Sequence, residues 1–547
     1  MTDLQKKRYE AARMIREKNE YHLPDFRPDT PYASDYQSYV ENLKNAGGDP
    51  ATMRSFAADI LQAYAAGGKK DDHPGYFVPE CRPEEYCQTN QVHMPRSQTE
   101  MEYVPYASRC LHSVEGYHAP ETLPKLDRWG GLMEERYDAT GFFHVINNGT
   151  RFVIVDPDGH PYYNVGLCKV DVEVCTSQRV LDNTLKKYGS MENWAEKTVQ
   201  RLRELGITCG SRTSDTKRLV RTPTTFAVCG SANFLSSFAR KRNAGQHGVG
   251  HMMFHDNNTM PVFMPEFEAY ADSYAAEVAA PYRNCERILG WFSDNELPAQ
   301  YNMLERFLTI DAASDSGQYG LAVAWEYLKK ETGLENPSLN DVTDEIRERF
   351  RGVVYDRYFR IVRTALKKHV PDHMYIGCRF SYVGKLYQDG KTMSSTIMDA
   401  AGRWCDIITV NYYMAWTPDA QLILDWQKWA GRPFMVTEWY AMAYDSGLSC
   451  ATGAGFRVRT QQDRADYYQN FALWLLECPW FTGFHWFMYM DNDPNDPNAE
   501  VSNMNSNKGI VTSDFEEWTT LTGAMKELND QIYPLIRFFD ARNGIGK

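Results

Sequence analysis

The sequence of 547 residues predicts an α/β protein built on a (β/α)8 TIM barrel, with a largely helical and irregular N-terminal extension and a lead-in β-hairpin. From residue 142 onward, short apolar runs alternate with longer amphipathic stretches, which is the pattern of a parallel sheet covered by helices. Eight such apolar runs occur, and eight strands close a barrel of this type. We expect the extension to comprise residues 1–135 and the barrel to comprise residues 136–547.

The N-terminal extension has no repeating pattern of strands and helices. Helical stretches are predicted near residues 4–20 and 52–66, and they are separated by segments rich in proline and glycine, such as residues 46–50. We therefore expect this part to pack on the barrel rather than to form one of its units.

A β-hairpin is predicted immediately before the barrel. Apolar residues at 145–146 and 152–155 flank Asn147-Asn148-Gly149, and an Asn-Gly pair between apolar runs is a strong hairpin signal. A second turn at residues 156–159 returns the chain toward residues 162–167, which contain the first predicted barrel strand.

The remaining barrel elements follow in order along the chain. The apolar runs predicted as strands two to eight are residues 207–211, 225–228, 288–292, 375–378, 407–410, 434–436 and 483–487. The amphipathic stretches predicted as helices include residues 192–205, 342–369, 420–430, 461–476 and 515–528. Functional residues of this fold lie at the carboxyl ends of the strands, so residues just after these runs are the first candidates for a site.

Two glutamates follow the fourth and seventh predicted strands. Glu296 lies in residues 290–297 and Glu438 in residues 433–440, and in each stretch an apolar run ends on the carboxylate. Burying a carboxylate without a partner is costly, so catalysis is the leading explanation for both positions. The alternative for Glu296 is a structural ion pair with an arginine at a strand end. Hydrolysis of a glycosidic bond uses a pair of carboxyl groups, and their separation decides whether configuration is retained or inverted.

The residues around both glutamates resemble a known enzyme group. Asn295-Glu296 after the fourth strand and Glu438 after the seventh are similar to the signature of the retaining clan A glycoside hydrolases. Within that clan, residues 290–297, 406–413, 436–438 and 483–491 resemble glycoside hydrolase family 50, the β-agarases, and the resemblance covers roughly residues 142–530. It implies a retaining hydrolase that cleaves a β-linked galactan by double displacement, with Glu296 as acid/base and Glu438 as nucleophile.

The resemblance also implies substrate-binding residues at the strand ends. Asn295 is expected to hydrogen-bond the 2-hydroxyl of the sugar, and Tyr413 is similar to the tyrosine that donates to the nucleophile in this clan. The other substrate-binding candidates are Arg379, Asn411, Trp416, Trp439, His485 and Trp486. The indole rings are candidates because sugars present flat C–H faces, although a tryptophan is also explained as part of the core.

The sequence departs from the family pattern at two stretches. Residues 212–215 read Arg-Thr-Ser-Asp where the family tends to carry Asn-Trp-Ser-Asp, and Thr437 precedes Glu438 where the family tends to carry glycine. Both departures concern the substrate pocket, so another clan A activity stays open, such as that of a β-galactosidase, mannanase or β-glucosidase. A carbohydrate-binding protein on an inactive barrel is the alternative without catalysis.

Composition narrows the class of partner. The 59 Lys and Arg residues against 72 Asp and Glu residues give a net charge of −13, which disfavours the phosphate backbone of nucleic acid. No apolar stretch approaches the roughly 18 residues of a membrane-spanning helix, and no hydrophobic block follows the first residues. We expect a polysaccharide or oligosaccharide partner and a cytoplasmic protein, with export by a signal absent from this sequence as the alternative. The oligomeric state stays open.

No cofactor or catalytic metal is predicted. His251 and His255 have the spacing of a zinc helix but lack the glutamate that follows the first histidine. Residues 491–496 hint at a calcium loop, yet Asp496 stands where such a loop has glycine and Ser502 where it has glutamate, so a polar loop is favoured. Twelve cysteines without a C-x-x-C pair fit free thiols in a reducing compartment.

Overall fold

The centre of the protein is a nine-stranded parallel sheet whose strands alternate with helices along the chain. The structure is a computed structural model that describes residues 32–65, 72–93, 103–173, 177–247, 252–314, 317–382, 394–496, 499–500 and 502–546. The helix predicted near residues 4–20 lies outside the described residues.

Strands and helices occur in the following order. The strands are β1 (Gln88–His93), β2 (Tyr103–Ser108), β3 (His144–Asn147), β4 (Phe152–Val155), β5 (Pro161–Tyr162), β6 (Asn164–Leu167), β7 (Cys209–Gly210), β8 (Ala227–Ala232), β9 (Gly245–His247), β10 (Met252–Phe254), β11 (Ile288–Ser293), β12 (Met374–Tyr375), β13 (Phe380–Tyr382), β14 (Ile408–Tyr412), β15 (Phe434–Glu438), β16 (Ala441–Ala443), β17 (Phe456–Val458) and β18 (Phe481–Trp486). The helices are α1 (Tyr36–Asn45), α2 (Pro50–Ala65), α3 (Gln178–Tyr188), α4 (Met191–Glu204), α5 (Thr216–Leu219), α6 (Phe234–Lys241), α7 (Pro265–Val278), α8 (Met303–Leu308), α9 (Gly317–Thr332), α10 (Asp344–His369), α11 (Ser395–Trp404), α12 (Ala420–Ala430), α13 (Gln461–Glu477), α14 (Thr519–Asn529) and α15 (Ile532–Arg542). None of these described helices combines the length and the apolar content that crossing a membrane requires.

The central sheet has the strand order β12, β11, β8, β7, β6, β18, β15, β14, β13, and all neighbouring pairs are parallel. Each of the eight predicted apolar runs supplies a strand of this sheet. The strands at its two ends, β12 and β13, come from one stretch of chain and are separated by residues 376–379. Because all strands run in one direction, their carboxyl ends lie at the same edge of the sheet.

Burial on both faces explains why the strands are continuous apolar runs. Every residue of β11 and of β18 is buried, as expected of parallel strands covered by helices. The longest helix, α10, packs against α7 and α11. It begins after Thr343, whose side chain accepts a hydrogen bond from the backbone N–H of Ile346 and so caps the helix.

The predicted lead-in hairpin is confirmed. β3 pairs antiparallel with β4, and Asn147 lies opposite Phe152 at the turn. The side chain of Asn148 accepts hydrogen bonds from the backbone N–H groups of Thr150 and Arg151 at 3.0 and 2.8 Å, which closes the turn. β5 then pairs with β4 and leads directly into β6 of the central sheet.

The N-terminal extension contains strands as well as helices, which corrects the prediction of a largely helical and irregular segment. β1 pairs with β2 and with β17, and β16 completes a four-stranded sheet. Since β16 begins three residues after Glu438, this sheet adjoins the carboxyl edge of the central sheet. The sequence of β1, Gln-Thr-Asn-Gln-Val-His, is mostly polar and lacks the alternation of apolar and polar residues typical of a half-buried strand. Its hydrogen bonds to the neighbouring strands β2 and β17 therefore stabilise it.

A buried ion cluster ties the extension to two C-terminal helices. Arg109 donates to Glu85 and Glu477 at 3.0 and 2.7 Å, and all three side chains are at most 2% exposed. Arg542 of α15 pairs with the same two glutamates and lies 2.6 Å from Glu477. Two arginines therefore balance two glutamates in a site with little access to solvent, which offsets the cost of burying each charge.

Candidate active site

Two segments at the carboxyl edge of the central sheet position the predicted carboxylates. Glu438 is the last residue of β15, and Glu296 lies three residues after the end of β11. The turn after β11 holds Asp294 and Glu296 at positive φ values of 60° and 52°. The backbone N–H of Glu296 donates to the carbonyl oxygens of Cys378 and Arg379, each at 3.3 Å. This strained turn therefore bends Glu296 toward the segment between β12 and β13.

A continuous set of hydrogen bonds joins the two carboxylates. Arg379 donates through Nη2 to Glu438 Oε1 at 2.6 Å and through Nη1 to Asn295 Oδ1 at 2.8 Å. Asn411 donates through Nδ2 to Glu296 Oε1 at 2.9 Å and to Asn295 Oδ1 at 3.4 Å. These five predicted site residues therefore lie together around shared donors.

Glu438 accepts hydrogen bonds at both of its carboxylate oxygens. Arg379 donates to Oε1, and the hydroxyl of Tyr413 donates a short hydrogen bond to Oε2. The side chain of Arg379 is 1% exposed and that of Glu438 is 12% exposed, so solvent screens their interaction weakly. The two donors therefore hold the Glu438 carboxylate from both of its oxygens.

Both donors to Glu438 retain their protons near neutral pH. Burial and then the charge of Glu438 raise the pKa of Tyr413 well above its usual value. Burial alone would lower the pKa of Arg379, but Glu438 together with Cys168, Glu296 and Tyr413 more than offsets this effect, so the pKa of Arg379 is raised. Arg379, which the sequence suggests as a sugar contact, is thus a cation that holds the carboxylate of Glu438.

Local backbone geometry fixes the direction of the donors. Gly377 and Arg379 have positive φ values of 75° and 54° in the segment between β12 and β13. The guanidinium of Arg379 lies 5.2 Å from the centre of the Phe292 ring and donates to the carbonyl oxygen of Thr437 at 3.0 Å. Thr437 Oγ1 donates to Asn411 Oδ1 at 3.0 Å, which orients the amide so that its Nδ2 faces the other carboxylate.

His485 lies in the interior of the sheet rather than at an accessible surface. Its Nε2 lies 2.8 Å from Asn164 Nδ2, and its Nδ1 lies 2.6 Å from Ser211 Oγ. Because an amide nitrogen only donates, Nε2 accepts and Nδ1 carries the proton. Burial and then the charge of Arg379 lower the pKa of His485 to about 3, so the ring is neutral. The predicted sugar contact at this position does not fit a fully buried ring.

The three predicted tryptophans are also core residues in the structure. Trp416, Trp439 and Trp486 are at most 2% exposed, so none presents an accessible ring face. Trp439 stacks on Phe471 with ring centres 4.6 Å apart, and Trp416 donates through Nε1 to Ser108 Oγ at 2.7 Å. The placement favours the core explanation that the sequence left open for these rings, and it does not support the predicted stacking against a sugar.

Arg212 and Asp294, which are not among the predicted site residues, brace the turn that carries Glu296. Arg212 donates to the carbonyl oxygen of Asp294 at 3.0 Å and to Asn233 Oδ1 at 2.9 Å. The carboxylate of Asp294 accepts from the backbone N–H groups at 235 and 236 at 2.9 and 2.8 Å, and so caps the start of α6. The departure from the family pattern at residues 212–215 was the signal that could have drawn attention to Arg212.

Lys508 is a second neighbour that the sequence did not reveal. It is 1% exposed, its Nζ donates to Asn503 Oδ1 at 2.7 Å, and this nitrogen lies 4.8 Å from the centre of the Tyr440 ring. Tyr440 in turn packs edge-on against Tyr413, with ring centres 5.4 Å apart. Burial lowers the pKa of Lys508 to about 7. Nothing in the sequence distinguishes this lysine from others in polar loops.

The residues considered for zinc and calcium do not form ligand cages in the described parts of the chain. His251 lies outside the described residues. Asp491 accepts from the backbone N–H of Gly509 at 2.7 Å and from Trp518 Nε1 at 2.9 Å, and Asp493 pairs with an arginine at 2.8 Å. Two other groups have ligand atoms close enough for a metal ion: Cys209, Cys229 and His485, and Asp127, Asp156 and His160.

Comparison with known proteins connects this chain to β-agarases in sequence. No protein-family model matches it. Beta-agarase B of Vibrio sp. (strain JT0107) is 32% identical over 181 residues, which are 33% of this chain and 17% of that protein. Beta-agarase A of the same strain is 30% identical over 184 residues, which are 32% of this chain and 17% of that protein. The chain therefore aligns with about a sixth of the length of these relatives.

Solved structures match over a larger part of the chain. The crystal structure of BpGH50 has a TM-score of 0.71 at 26% identity, and the match covers 85% of this chain and 99% of that chain. The structure of an exo-beta-agarase has a TM-score of 0.58 at 20% identity, and the match covers 76% of this chain and 68% of that chain. The protein therefore shares its fold with BpGH50 and is similar in sequence to β-agarases over a third of its length.

Proposed function

We propose that this chain is a glycoside hydrolase of the β-agarase type, which cleaves β-linked bonds in a galactan polysaccharide or oligosaccharide. The observation that carries the proposal is the pair Glu296 and Glu438, joined through shared donors at the carboxyl edge of the parallel sheet. Sequence similarity to two β-agarases supports the class of substrate.

We further infer that the central sheet closes into a (β/α)8 barrel. The strands at its two ends, β12 and β13, are separated by only residues 376–379. The backbone N–H of Ser293 donates to Gly377 O at 2.9 Å, and that of Arg379 donates to Thr409 Oγ1 at 3.1 Å, so this segment contacts both flanking strands. In a closed barrel the two glutamates face each other across the rim, where the active sites of this fold lie.

Within this proposal, Glu438 is the nucleophile and Glu296 is the acid/base. Glu438 accepts from a guanidinium at one oxygen and from a phenol hydroxyl at the other, which fixes its orientation. Glu296 accepts from the neutral amide of Asn411 at 2.9 Å, and the role of acid/base requires it to carry a proton before the first step. The charged donor at Glu438 and the neutral donor at Glu296 distinguish the two carboxyl groups and support this assignment of roles.

The reaction follows as a double displacement. Glu296 transfers its proton to the glycosidic oxygen as that bond breaks, and a Glu438 oxygen forms a bond to the anomeric carbon. Glu296, now ionised, then takes a proton from water, whose oxygen attacks the anomeric carbon and releases Glu438. The donors Arg379 and Tyr413 hold the carboxylate of Glu438 in place throughout the reaction. The Nδ2 group of Asn295 is the donor proposed for the 2-hydroxyl of the sugar.

Amide substitution of each glutamate tests the assignment of catalysis. Glu438→Gln and Glu296→Gln should each lower kcat/KM on agaro-oligosaccharides by at least about a thousandfold, because each removes a group that forms or breaks a bond in the rate-determining steps. Glu516→Gln, at an exposed position, is the matched control and should keep full activity. Full activity in either site variant would contradict the proposal.

A mechanism-based label tests the nucleophile and the stereochemistry. A 2-fluoro glycoside of the cleaved sugar should trap a covalent adduct on the peptide that contains Glu438, detected by mass spectrometry after digestion. The first product observed by NMR should have the configuration of the substrate. A label on another residue, or an inverted first product, would contradict the retaining assignment.

A substrate panel separates the activities that the sequence leaves open. Agaro-oligosaccharides should be cleaved faster than aryl β-galactosides, β-glucosides and manno-oligosaccharides. Preferential cleavage of one of the latter would reassign the substrate within the same mechanism. Binding of the sugars by calorimetry without hydrolysis of any would favour the carbohydrate-binding alternative.

A further inference from the structure

A second group of ionisable residues lies where the lead-in hairpin meets the extension. Asp156 and His160 flank the turn between β4 and β5, and Asp127 comes from the extension. One possible ligand atom of each residue lies within 4.8 Å of those of the other two. Since β5 ends two residues before β6 begins, the group lies at the amino edge of the central sheet, opposite the edge that carries Glu296 and Glu438.

Hydrogen bonds in this group leave one buried carboxylate oxygen without a donor. Asp127 Oδ1 accepts from the three successive backbone N–H groups of residues 129–131 at 2.8 to 3.0 Å. Asp156 Oδ1 accepts from the backbone N–H groups of Asp158 and His160 at 2.9 and 3.0 Å. Asp156 is fully buried, and its Oδ2 has no hydrogen-bond partner among the described residues. A buried anionic oxygen of this kind requires a counter-charge or a proton.

The cations described near this group do not contact the carboxylate of Asp156. Arg128 extends toward solvent and pairs with Asp158 at 2.7 Å. Arg203 donates to a backbone carbonyl oxygen at 2.6 Å rather than to a carboxylate. Within the described segments, no lysine or arginine forms an ion pair with Asp127 or Asp156.

We propose that Asp127, Asp156 and His160 bind a divalent transition-metal ion, with Zn²⁺ the best match, which fastens the extension to the lead-in hairpin. His160 Nδ1 lies 2.9 Å from Asp127 Oδ2 and 4.0 Å from Asp156 Oδ1. Two ligands about 2.1 Å from an ion are about 3.4 Å apart at the tetrahedral angle and at most about 4.2 Å apart, so the two separations correspond to angles of roughly 90° and 145°, and binding requires small shifts of the side chains to reach tetrahedral geometry. A set of two carboxylates and one imidazole favours Zn²⁺ over Ca²⁺, which prefers oxygen ligands alone.

A proton on Asp156 is the competing way to satisfy the buried oxygen. Burial and then the neighbouring Asp127 raise the pKa of Asp156 to about 7. A protonated Asp156 would donate to Asp127, whereas a metal ion would displace that proton and the one on His160 Nδ1. The two states differ in metal content, which makes them separable by direct measurement.

The test uses the full chain, purified without chelators and dialysed into metal-free buffer. Titration calorimetry with Zn²⁺ and elemental analysis should give one ion per chain, and the bound ion should raise the temperature of thermal unfolding. Asp156→Asn should weaken Zn²⁺ binding by at least about tenfold, because it removes a charged ligand. Asp158→Asn is the matched control, since Asp158 is half-exposed and pairs with Arg128, and it should bind Zn²⁺ like the unsubstituted protein.

His160→Gln provides a second variant that keeps both carboxylates, in case Asp156→Asn does not fold. It should also lose Zn²⁺. Zinc retained in both variants would assign the ion elsewhere, such as to Cys209, Cys229 and His485, and would overturn the proposal. Failure of the unsubstituted protein to bind Zn²⁺ would also overturn the proposal and would indicate that a proton on Asp156 satisfies the buried oxygen. Equal affinity for Ca²⁺ would overturn the choice of a transition metal. None of these measurements depends on hydrolysis, so their outcome is independent of the proposed enzymatic activity.

Discussion

Replacing Tyr413 by phenylalanine removes a single hydroxyl from the proposed active site. The hydroxyl donates to Glu438 Oε2, while the ring packs edge-on against Tyr440 with centres 5.4 Å apart. Tyr413 is 6% exposed, so phenylalanine fills the same space and water has little access to replace the missing donor. We expect the variant to fold normally and to lose part of its activity.

The size of this loss follows from the fact that Glu438 has two donors. A hydrogen bond to a charged group contributes about 1.5–3 kcal/mol, which corresponds to a decrease of about 10- to 150-fold in kcat/KM. Arg379 still donates to Oε1 at 2.6 Å, so the carboxylate keeps one charged donor and its orientation. The loss should therefore be much smaller than that of Glu438→Gln, which removes the nucleophile itself.

The assay is initial-rate hydrolysis of an agaro-oligosaccharide, with thermal unfolding measured in parallel. Tyr412→Phe is the matched control, because the Tyr412 hydroxyl accepts a hydrogen bond from the backbone N–H of Asp419 at 2.9 Å and does not contact Glu438. This control should keep nearly full activity. An unchanged kcat/KM in Tyr413→Phe, or equal losses in the two variants, would refute the role given to the Tyr413 hydroxyl.

Two further predictions concern stability and pH. Arg109→Met removes a donor from the buried carboxylates of Glu85 and Glu477 and should lower the free energy of unfolding in urea by about 3–5 kcal/mol. Arg349→Met, at a more exposed ion pair, is the control and should change this free energy by less than about 1 kcal/mol. Equal effects of the two substitutions would contradict the reasoning. Burial lowers the pKa of His485 to about 3. Because the unfolded chain takes up this proton near pH 6.5 and the folded chain does not, the free energy of unfolding should fall by about 2 kcal/mol from about pH 7.5 to pH 5. His485→Leu should remove this part of the pH dependence, and an unaltered slope would show that other groups cause it.

The parallel sheet could be predicted because its signal is local. Strands covered on both faces need apolar side chains at almost every position, and turn residues bound each run. Residues 434–436, for example, were predicted as a strand and form the start of β15, which extends to Glu438. The split of the fifth strand at residues 376–379 could not be predicted, because it depends on contacts with strands on either side.

The positions of Glu296, Glu438, Arg379, Asn411 and Tyr413 near strand ends could be predicted from the apolar runs that precede them, whereas the hydrogen bonds of Arg379 and Asn411 to the carboxylates could not. Trp439 and His485 are buried for two different reasons. Successive side chains of a strand point to opposite faces, so a position near a strand end does not by itself decide between the site and the core. Trp439 directly follows Glu438 and packs against Phe471 in the helical layer, and His485 points into the sheet interior toward Asn164.

The strands of the extension were missed for a different reason. β1 has no apolar alternation, and of its two partners only β2 is near in the sequence, whereas β17 lies more than three hundred residues away. Pairing between such distant segments leaves no local pattern for either one. The same holds for the bond from Trp416 to Ser108, which joins the end of β14 to the extension.

The mixed origin of the four-stranded sheet matters for anyone who wishes to shorten this protein. A version that starts at residue 136 lacks β1 and would leave the backbone hydrogen-bonding groups at one edge of β17 unpaired. Exposed strand edges promote association between molecules. The smallest unit suited to crystallisation or to libraries of variants therefore extends back at least to Glu85, which pairs with Arg109 and Arg542, even though the proposed chemistry resides wholly in later segments.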